Sequence, residues 1–533
     1  MTDEQPTSRR AAREAARGKA PRGAAASPSP GSAADAVAGD PIVTDATGAA
    51  PGPTAAKTGG IGALLRKHPV AWMVGAGAVA FALLGTGSVF AGVAWASRDL
   101  PSASASPDAT QGPTRAVPGT IAGPTRMRTC SVAAQASDGR LVSLLGSVMR
   151  ADTGEVLFDR GGMTPGAPAS VLKVFTAAAA VARLGPDFQV TTSVYEGSTA
   201  GTIVLVGRGD ATLSALPVGQ ESYYAGAPKL QTLAETAIAN YRAKYADTPI
   251  TKVVLDASYW NPADRWDASW DRGEQTRGYQ SEVTALQVDG DRADPRAATS
   301  PRSTDPIGRA GAAFIAALIA ADPDGEVVDP AVTTTTGTAL GSATLAEVKS
   351  QPIRTWISQL LLDSDNTLAE MLARIVSRES DMGGSASSLQ QAIPAALMGW
   401  EVPSAGLVIR DGSGLSADNA VPTQVMADFM RQVLAGTGGL DVVRAGLPVA
   451  GKTGSLADRF SGDNADARGN VTAKSGTLSR ASTLSGYLTA ADGTPLAFAF
   501  YASGDGLKTN DARAAIDTLT AAVLRCGDNL STN

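Results

Sequence analysis

Ser170 and Lys173 stand three residues apart in the run Ala169-Ser-Val-Leu-Lys-Val-Phe, which heads an alanine-rich stretch free of Gly and Pro from Val171 to Leu184. On a helix that spacing places both on one face. A serine hydroxyl is a poor nucleophile unless a base lies within hydrogen-bond reach. Lys173 can act as that base only when neutral, a form favoured by desolvation among Val171, Leu172, Val174 and Phe175 or by a nearby cation. A serine at a helix start also has a backbone N–H with no intrahelical partner, aimed at any developing negative charge. The plainer reading is an N-cap serine followed by a surface lysine, because Ser-x-x-Lys is common in sequences at large.

Two further stretches hold compatible chemistry. In Asp363-Ser364-Asp365-Asn366, Ser364 and Asn366 point the same way if the link is non-helical, while Asp365 points elsewhere. Asp and Asn ahead of a helix also read simply as caps. In Lys474-Ser475-Gly476-Thr477, a lysine enters a strand whose glycine leaves its surface open to a close approach by ligand or backbone. The chain has a single histidine, His68, at the edge of an apolar segment. That argues strongly against a Ser-His-Asp triad and a histidine-based metal site, and leaves acid–base work to Lys, Ser, Tyr, Asp or Glu. No cofactor or metal motif occurs.

The elements that must position these residues follow from hydrophobic period. Leu141 to Arg150, a turn at Asp152-Thr153-Gly154, and Val156 to Phe158 predict a β-hairpin. Val190 to Val206 predicts two strands, Leu230–Tyr245 a helix, Lys252–Leu255 a strand and Gly308–Ala321 a helix. Trp266 to Gly278 lacks core periodicity and reads as an exposed loop or rim. Ile353 to Leu362 and Thr367 to Val376 are amphipathic helices flanking Ser364. Val471 to Leu478, Ser482 to Thr489 and Leu496 to Ala502 form a meander, closed by a helix over Asp511 to Leu524.

The 533 residues allow several domains or one with large insertions, and the net charge of −6 gives no basic footprint for nucleic acid. Residues 1–67 are Ala/Pro/Gly/Ser-rich and read as a disordered tail. Nine Lys/Arg against six Asp/Glu precede position 68, and Val70 to Ala96 carries no charge over 27 residues, with Trp72 and Trp95 near its ends. This predicts a transmembrane helix within 68–97, with the tail cytoplasmic and everything after it extracytoplasmic. A cleaved signal peptide is the alternative, disfavoured by so long an n-region. Residues 98–127 form a Pro/Ser-rich tether. Beyond it lie the only two cysteines, Cys130 and Cys526, which in an extracytoplasmic domain read as a disulfide. Such a bridge closes nearly the whole folded region, which is sensible only if its first and last segments are neighbours; two free buried thiols remain the alternative.

Ser-x-x-Lys, Ser-Asp-Asn and Lys-Ser-Gly, in that order on helix, loop and strand, resemble the motif set of penicillin-binding proteins and class A β-lactamases, with serine for threonine in the third. Residues 128–530 are more closely similar to D-alanyl-D-alanine carboxypeptidases of the S13 peptidase type, the penicillin-binding protein 4 class. That similarity includes Leu205-Val-Gly-Arg-Gly-Asp-Ala-Thr-Leu, Tyr279-Gln-Ser-Glu-Val-Thr-Ala-Leu, Asp411-Gly-Ser-Gly-Leu-Ser-Ala-Asp-Asn, Ala473-Lys-Ser-Gly-Thr-Leu and Leu484-Ser-Gly-Tyr. The 190 residues between Lys173 and Ser364 match this branch, whose members carry large insertions there, and are far too many for a class A β-lactamase.

The resemblance implies an α+β fold: an antiparallel sheet flanked by helices with a helical subdomain, formed by 128–193 and 349–530 and interrupted by an insertion over 194–348. It implies that the chain ends meet, which supports the Cys130–Cys526 pairing. It implies that Ser170 attacks a D-Ala-D-Ala peptide bond with Lys173 as base, and that Ser364, beside Asn366, hands a proton to the departing amine. The N–H groups of Ser170 and Thr477 would form the oxyanion hole. Lys474 and Ser475, with Gly476 and Thr477 on the same strand, would hold the substrate carboxylate, and Tyr279 would line the cleft. The implied partners are peptidoglycan pentapeptides or cross-linked peptides, β-lactams as covalent inhibitors, and the membrane through one helix.

Two lysines compete with Lys474. Lys57-Thr58-Gly59 and Lys452-Thr453-Gly454 both fit the third motif letter for letter. The first lies in the cytoplasmic tail. The second precedes a Gly/Asp/Asn-rich loop, whereas Lys474 starts a strand leading into the meander. Family members often carry arginine after Ser416, where this chain has Ala417. Other readings are a β-lactamase-like hydrolase, distinguished by fast release of bound penicillin, and a wall-binding or sensor protein without turnover, against which the intact motifs weigh.

Overall fold

Leu496, Phe498, Phe500 and Ala502 alternate with Ala497, Ala499 and Tyr501, and all seven are buried, so the strand they form has a core on each face. In the computed structural model, which describes residues 127–338 and 343–531, this is the central strand of a five-stranded antiparallel sheet. The hairpin β1 (Ser143–Arg150) and β2 (Val156–Arg160) forms one side of that sheet. The meander β10 (Val471–Leu478), β11 (Ala481–Thr489) and β12 (Pro495–Ser503) forms the other, in the order β10-β11-β12-β1-β2. The first and last strands of the described residues therefore pair directly: Ser143 faces Ser503 and Arg150 faces Leu496.

Each face buries its own core. Phe498, Phe500 and Leu484 pack with Ile516, Leu519 and Val523 of the closing helix Thr509–Cys526. Ala497, Ala499 and Tyr501 face the opposite way, towards the helix Thr423–Ala435 and the helical layer behind it. That layer surrounds the helix Lys173–Leu184, whose residues from Lys173 to Val181 are all buried. Its neighbours are the helices Asn366–Arg378 and Leu389–Leu397.

The segment between the first two motifs builds a second five-stranded sheet from β4 (Thr191–Glu196), β5 (Thr202–Val206), β6 (Ile250–Asp256), β7 (Val328–Thr336) and β8 (Thr344–Lys349), in the order β7-β6-β5-β4-β8. β5, β6 and β7 run parallel, with the helices Leu230–Lys244 and Pro306–Ala321 as connections. β7 and β8 have no counterpart in the periodicity reading: Thr333 to Thr336 of β7 give no hydrophobic signal, and in β8 the buried Leu345 and Ala346 are adjacent, which breaks the alternation of a strand. A small ladder pairs β3 (Pro165–Gly166) with β9 (Val421–Pro422).

One expectation is corrected in part. The Trp266–Gly278 stretch has exposed positions such as Asp271, Arg272, Thr276 and Arg277, as a rim would, but Asp267, Trp270 and Gln275 are buried, and the Trp270 indole N–H donates to Asp411 Oδ2 at 2.8 Å. The burial is carried by specific hydrogen bonds to a distant loop, so it leaves no period in the sequence.

Cys130 and Cys526 are joined in a disulfide with Cα atoms 5.5 Å apart. Backbone bonds reinforce it, from Cys130 N–H to Asn529 O at 3.0 Å and from Ser531 N–H to Cys130 O at 2.9 Å. The tail 1–67, the expected span 68–97 and the tether up to residue 126 lie outside the described residues. Among the described residues no helix is long and apolar enough to cross a membrane.

Candidate active site

Ser170 lies in a single 3₁₀ turn, Ala169–Leu172, that runs into the helix beginning at Lys173, rather than in one continuous α-helix. In 3₁₀ geometry residues i and i+3 eclipse, which brings the two side chains together more directly than an α-turn would. Lys173 Nζ is 3.0 Å from Ser170 Oγ. Two oxygens hold the amine there: Asn366 Oδ1 at 2.7 Å and the Ser413 carbonyl at 2.6 Å. Lys173 is fully buried and Ser170 only partly so, leaving the hydroxyl accessible and its base shielded.

The turn bearing Ser170 is fixed from two sides by glycines. A Cβ at Gly414, where φ is +76°, would lie 1.9 Å from Ala169 O. A Cβ at Gly476 would lie 2.8 Å from Ser170 N. Thr483 Oγ1 on β11 also donates to Pro168 O at 2.8 Å, tying the turn to the sheet.

Ser364 has a left-handed φ of 60°, and Asn366 opens the helix Asn366–Arg378. The cap reading and the site reading both hold, on different residues. Asp365 Oδ1 caps the helix by accepting from Leu368 N at 3.1 Å, while Asn366 turns its amide oxygen onto Lys173. Lys474, fully buried on β10, donates to Ser364 Oγ at 2.9 Å and to the Ser475 carbonyl at 2.8 Å. Ser170–Lys173–Asn366 and Ser364–Lys474 thus come together from five positions spread over three hundred residues of chain.

β10 is an edge strand. Its outer side is covered up to Ala473, where Ala450 N donates to Val471 O at 2.9 Å and Ala473 N donates to Pro448 O at 3.0 Å. Strand period two then turns the N–H groups of Ser475 and Thr477 to the same open side, towards the Ser170 turn. Ser475 Oγ lies 3.0 Å from Ser455 Oγ, and Thr477 Oγ1 accepts from Arg513 Nη2 at 3.3 Å. Lys452 sits on the exposed loop that precedes β10 and makes no contact with Ser170 or Ser364. Tyr279 is partly buried, two residues before Ser281, whose Oγ is 3.3 Å from Thr367 Oγ1 next to Asn366.

Three features of the site have no trace in the motif reading. The first is the Ser413 carbonyl, a backbone atom whose role no side-chain type reveals. The second is Glu370, one turn after Asn366, whose Oε1 accepts from Gly412 N at 3.0 Å and Ser413 N at 2.7 Å and so braces the loop that grips Lys173. Asp411 braces the same loop, accepting from Gly414 N at 2.7 Å, Ser416 N at 2.6 Å and Asn419 Nδ2 at 2.9 Å. Burial first, and then the Asp411 charge, pushes the Glu370 carboxyl up to about 7; burial raises Asp411 as well. Asp411 has more donors to hold a charge, so of the two Glu370 is the more readily protonated. The i, i+4 spacing from Asn366 was the available clue to Glu370. The third is Arg513, which places a cation beside Thr477.

A serine bonded to a buried lysine, with a second serine–lysine pair beside it and an open strand edge opposite, is an arrangement that can activate a serine hydroxyl without histidine. The family model of the D-Ala-D-Ala carboxypeptidase 3 (S13) family matches residues 129–306 and 297–523. The carboxypeptidase DacB of Mycolicibacterium smegmatis is 32% identical over 430 residues, covering 79% of this chain and 90% of that protein. A carboxypeptidase of Mycobacterium tuberculosis is 33% identical over 405 residues, covering 75% and 84%. Among solved structures, penicillin binding protein 4 (DacB) of Haemophilus influenzae superposes with a TM-score of 0.57 at 19% identity, over 72% of this chain and 95% of that one. The same protein has also been solved in complex with a β-lactam, with a TM-score of 0.51 at 18% identity. The chain therefore belongs to the D-Ala-D-Ala carboxypeptidase 3 (S13) family of serine peptidases, on the mixed α/β fold of penicillin binding protein 4.

Proposed function

We propose that this enzyme cleaves the D-Ala-D-Ala bond of peptidoglycan stem peptides through an acyl-enzyme on Ser170, from the outer side of a membrane in which residues 68–97 anchor it. The observation that carries this reading is the double pair, Lys173 on Ser170 at 3.0 Å and Lys474 on Ser364 at 2.9 Å. An amine that donates to the Asn366 and Ser413 oxygens keeps its lone pair for the Ser170 hydroxyl, so Lys173 takes that proton as Oγ bonds to the carbonyl carbon. The oxyanion is met by the N–H groups of Ser170 and Thr477. As the C–N bond breaks, Ser364, held by Lys474, gives its proton to the leaving D-alanine amine and is resupplied with the proton that Lys173 took from Ser170, which leaves Lys173 neutral. Water then adds to the ester; the neutral Lys173 takes its proton and returns it to Ser170 Oγ as the C–Oγ bond breaks, which releases the shortened peptide. Lys474, Ser475 and the Arg513 cation beside Thr477 suit a substrate ending in a carboxylate.

A β-lactam would acylate Ser170 in the same way, as the β-lactam complex of the Haemophilus relative suggests. The test is labelling with a fluorescent penicillin, followed by release of D-alanine from a pentapeptide. Covalent label on wild type but not on Ser170→Ala, together with D-alanine release, is the expected result. Label that decays within seconds would favour a β-lactamase instead. Anchoring is tested separately. Protein starting near residue 100 is expected to be soluble and penicillin-reactive, and the full chain to stay with washed membranes. A full chain found free in solution would remove the anchor from the proposal.

A further inference from the structure

The inserted segment reaches into the second motif at a specific place. Ser364, with its left-handed φ of 60°, is flanked by Asp363 and Asp365, and both aspartates are held by residues of the insertion. Tyr223 Oη donates to Asp363 Oδ2 at 2.7 Å. Tyr224 Oη donates to Asp365 Oδ2 at 3.1 Å, and Arg292 Nη2 pairs with the same oxygen at 2.9 Å. The Arg292 guanidinium is itself stacked against both rings, 4.2 Å from the centroid of Tyr223 and 4.6 Å from that of Tyr224. Arg292 is 1% exposed and Asp365 2%, so this is a desolvated ion pair. Breaking such a pair is costly because it strands a buried charge.

Such a grip has a consequence for chemistry. A non-glycine residue with positive φ persists only where its surroundings over-determine it. Here the conformation of Ser364 puts its Oγ on Lys474, and Asp365 Oδ1 is already committed to capping the helix that presents Asn366. The other oxygen of Asp365 and the carboxylate of Asp363 are the handles left, and the insertion takes both.

We propose that Tyr223, Tyr224 and Arg292 are positioning residues for the proton relay: by clamping the two aspartates beside Ser364, the inserted segment keeps the Ser364 hydroxyl aligned between Lys474 and the leaving group. This rests on the relay assigned to Ser364 above. It gives the insertion a direct part in turnover and predicts a defect in one step only, protonation of the leaving amine.

Two substrates with the same acyl group separate that step. One is an acyl-D-Ala-D-Ala peptide, whose amine must be protonated to leave. The other is the matching thioester, whose thiolate leaves without a proton. In the full-length Tyr223→Phe/Tyr224→Phe variant, which keeps both rings, kcat/KM on the peptide is expected to fall about tenfold and on the thioester less than twofold, as befits loss of general-acid alignment. Arg292→Lys, which loses the planar fork, should show the same pattern more strongly. Tyr223→Phe alone, at a partly exposed ring, serves if either variant fails to fold. Equal losses on both substrates, or none on either, would overturn the proposal. Ser364→Ala is the control. If it too fails to discriminate, the relay reading falls; if it discriminates while the clamp variants do not, only the clamp falls.

Discussion

At the scale of single residues, the site is a set of buried polar groups whose partners decide what each can do. Lys474 and Lys452 differ by twenty-two positions and read alike as motifs, yet one is fully buried on Ser364 and the other is exposed on a loop. Lys474→Ala is therefore expected to slow penicillin acylation of Ser170 by about 100-fold or more, and Lys452→Ala to leave it largely intact. Stopped-flow acylation of both folded variants checks the ranking. Glu370 gives a pH-dependent counterpart. Its folded value lies near 7 against an ordinary 4.5, so the native state holds a proton that the unfolded chain has already lost in that interval. Its contribution to stability is thus fully present below about pH 4.5 and is lost as pH rises to about 7. Relative to Glu370→Gln, wild type should lose stability across that window, by about 1.4 kcal/mol per pH unit at the steepest. Denaturant unfolding at several pH values reads it. Glutamine retains an oxygen for the Gly412 and Ser413 N–H groups, so its acylation rate should stay within a few-fold of wild type, whereas Glu370→Ala should not.

At the scale of elements, the decisive contact is between the 3₁₀ turn bearing Ser170 and the edge strand β10. Gly476 lets them touch. Its absent Cβ would lie 2.3 Å from Thr483 Oγ1 and 2.8 Å from Ser170 N, and the second neighbour is backbone that cannot rotate away. Gly476→Ala should therefore push β10 off the turn, widen the oxyanion hole and lower the acylation rate by about 100-fold, with a smaller effect on melting temperature. A variant that acylates at the wild-type rate would show that the strand does not form that hole. The same logic explains why β10 ends its pairing with the Pro448–Ala450 segment at Ala473: past that point the strand edge stays open.

At the scale of the molecule, the sheet joins the first and last segments of the folded chain, and the disulfide locks that junction across 396 residues. Arg150 and Arg128 both reach Asp528, at 2.5 and 3.5 Å, so the junction is also paired electrostatically. Replacing Cys130 and Cys526 together by serine should lower unfolding free energy by about 2–5 kcal/mol while leaving penicillin acylation at 25 °C in place, because the bridge lies at the chain ends on the closing helix rather than beside Ser170. Loss of labelling in the folded variant would place the bridge in the site's support. The insertion contributes a sheet of its own, yet through Tyr223, Tyr224 and Arg292 it is coupled to the second motif.

How much of this was legible from residues alone depends on the kind of interaction. The order Ser170/Lys173, Ser364/Asn366, Lys474 to Thr477 was readable because the proposed chemistry depends on those side-chain types, and side-chain types are what a sequence records. The hairpin, the meander and the main helices were readable because their burial is periodic. The Ser413 carbonyl was invisible because backbone atoms are the same at every position. β7 escaped because a threonine run has no hydrophobic period, and the burial of Trp270 escaped because its contacts, the hydrogen bond to Asp411 among them, come from segments distant in sequence. The bond from Lys474 to Ser364, the raised carboxyls of Glu370 and Asp411, and the grip of Tyr223, Tyr224 and Arg292 on the residues around Ser364 appear only in the tertiary structure. Each depends on desolvation and on distances between segments that only the folded chain brings within reach.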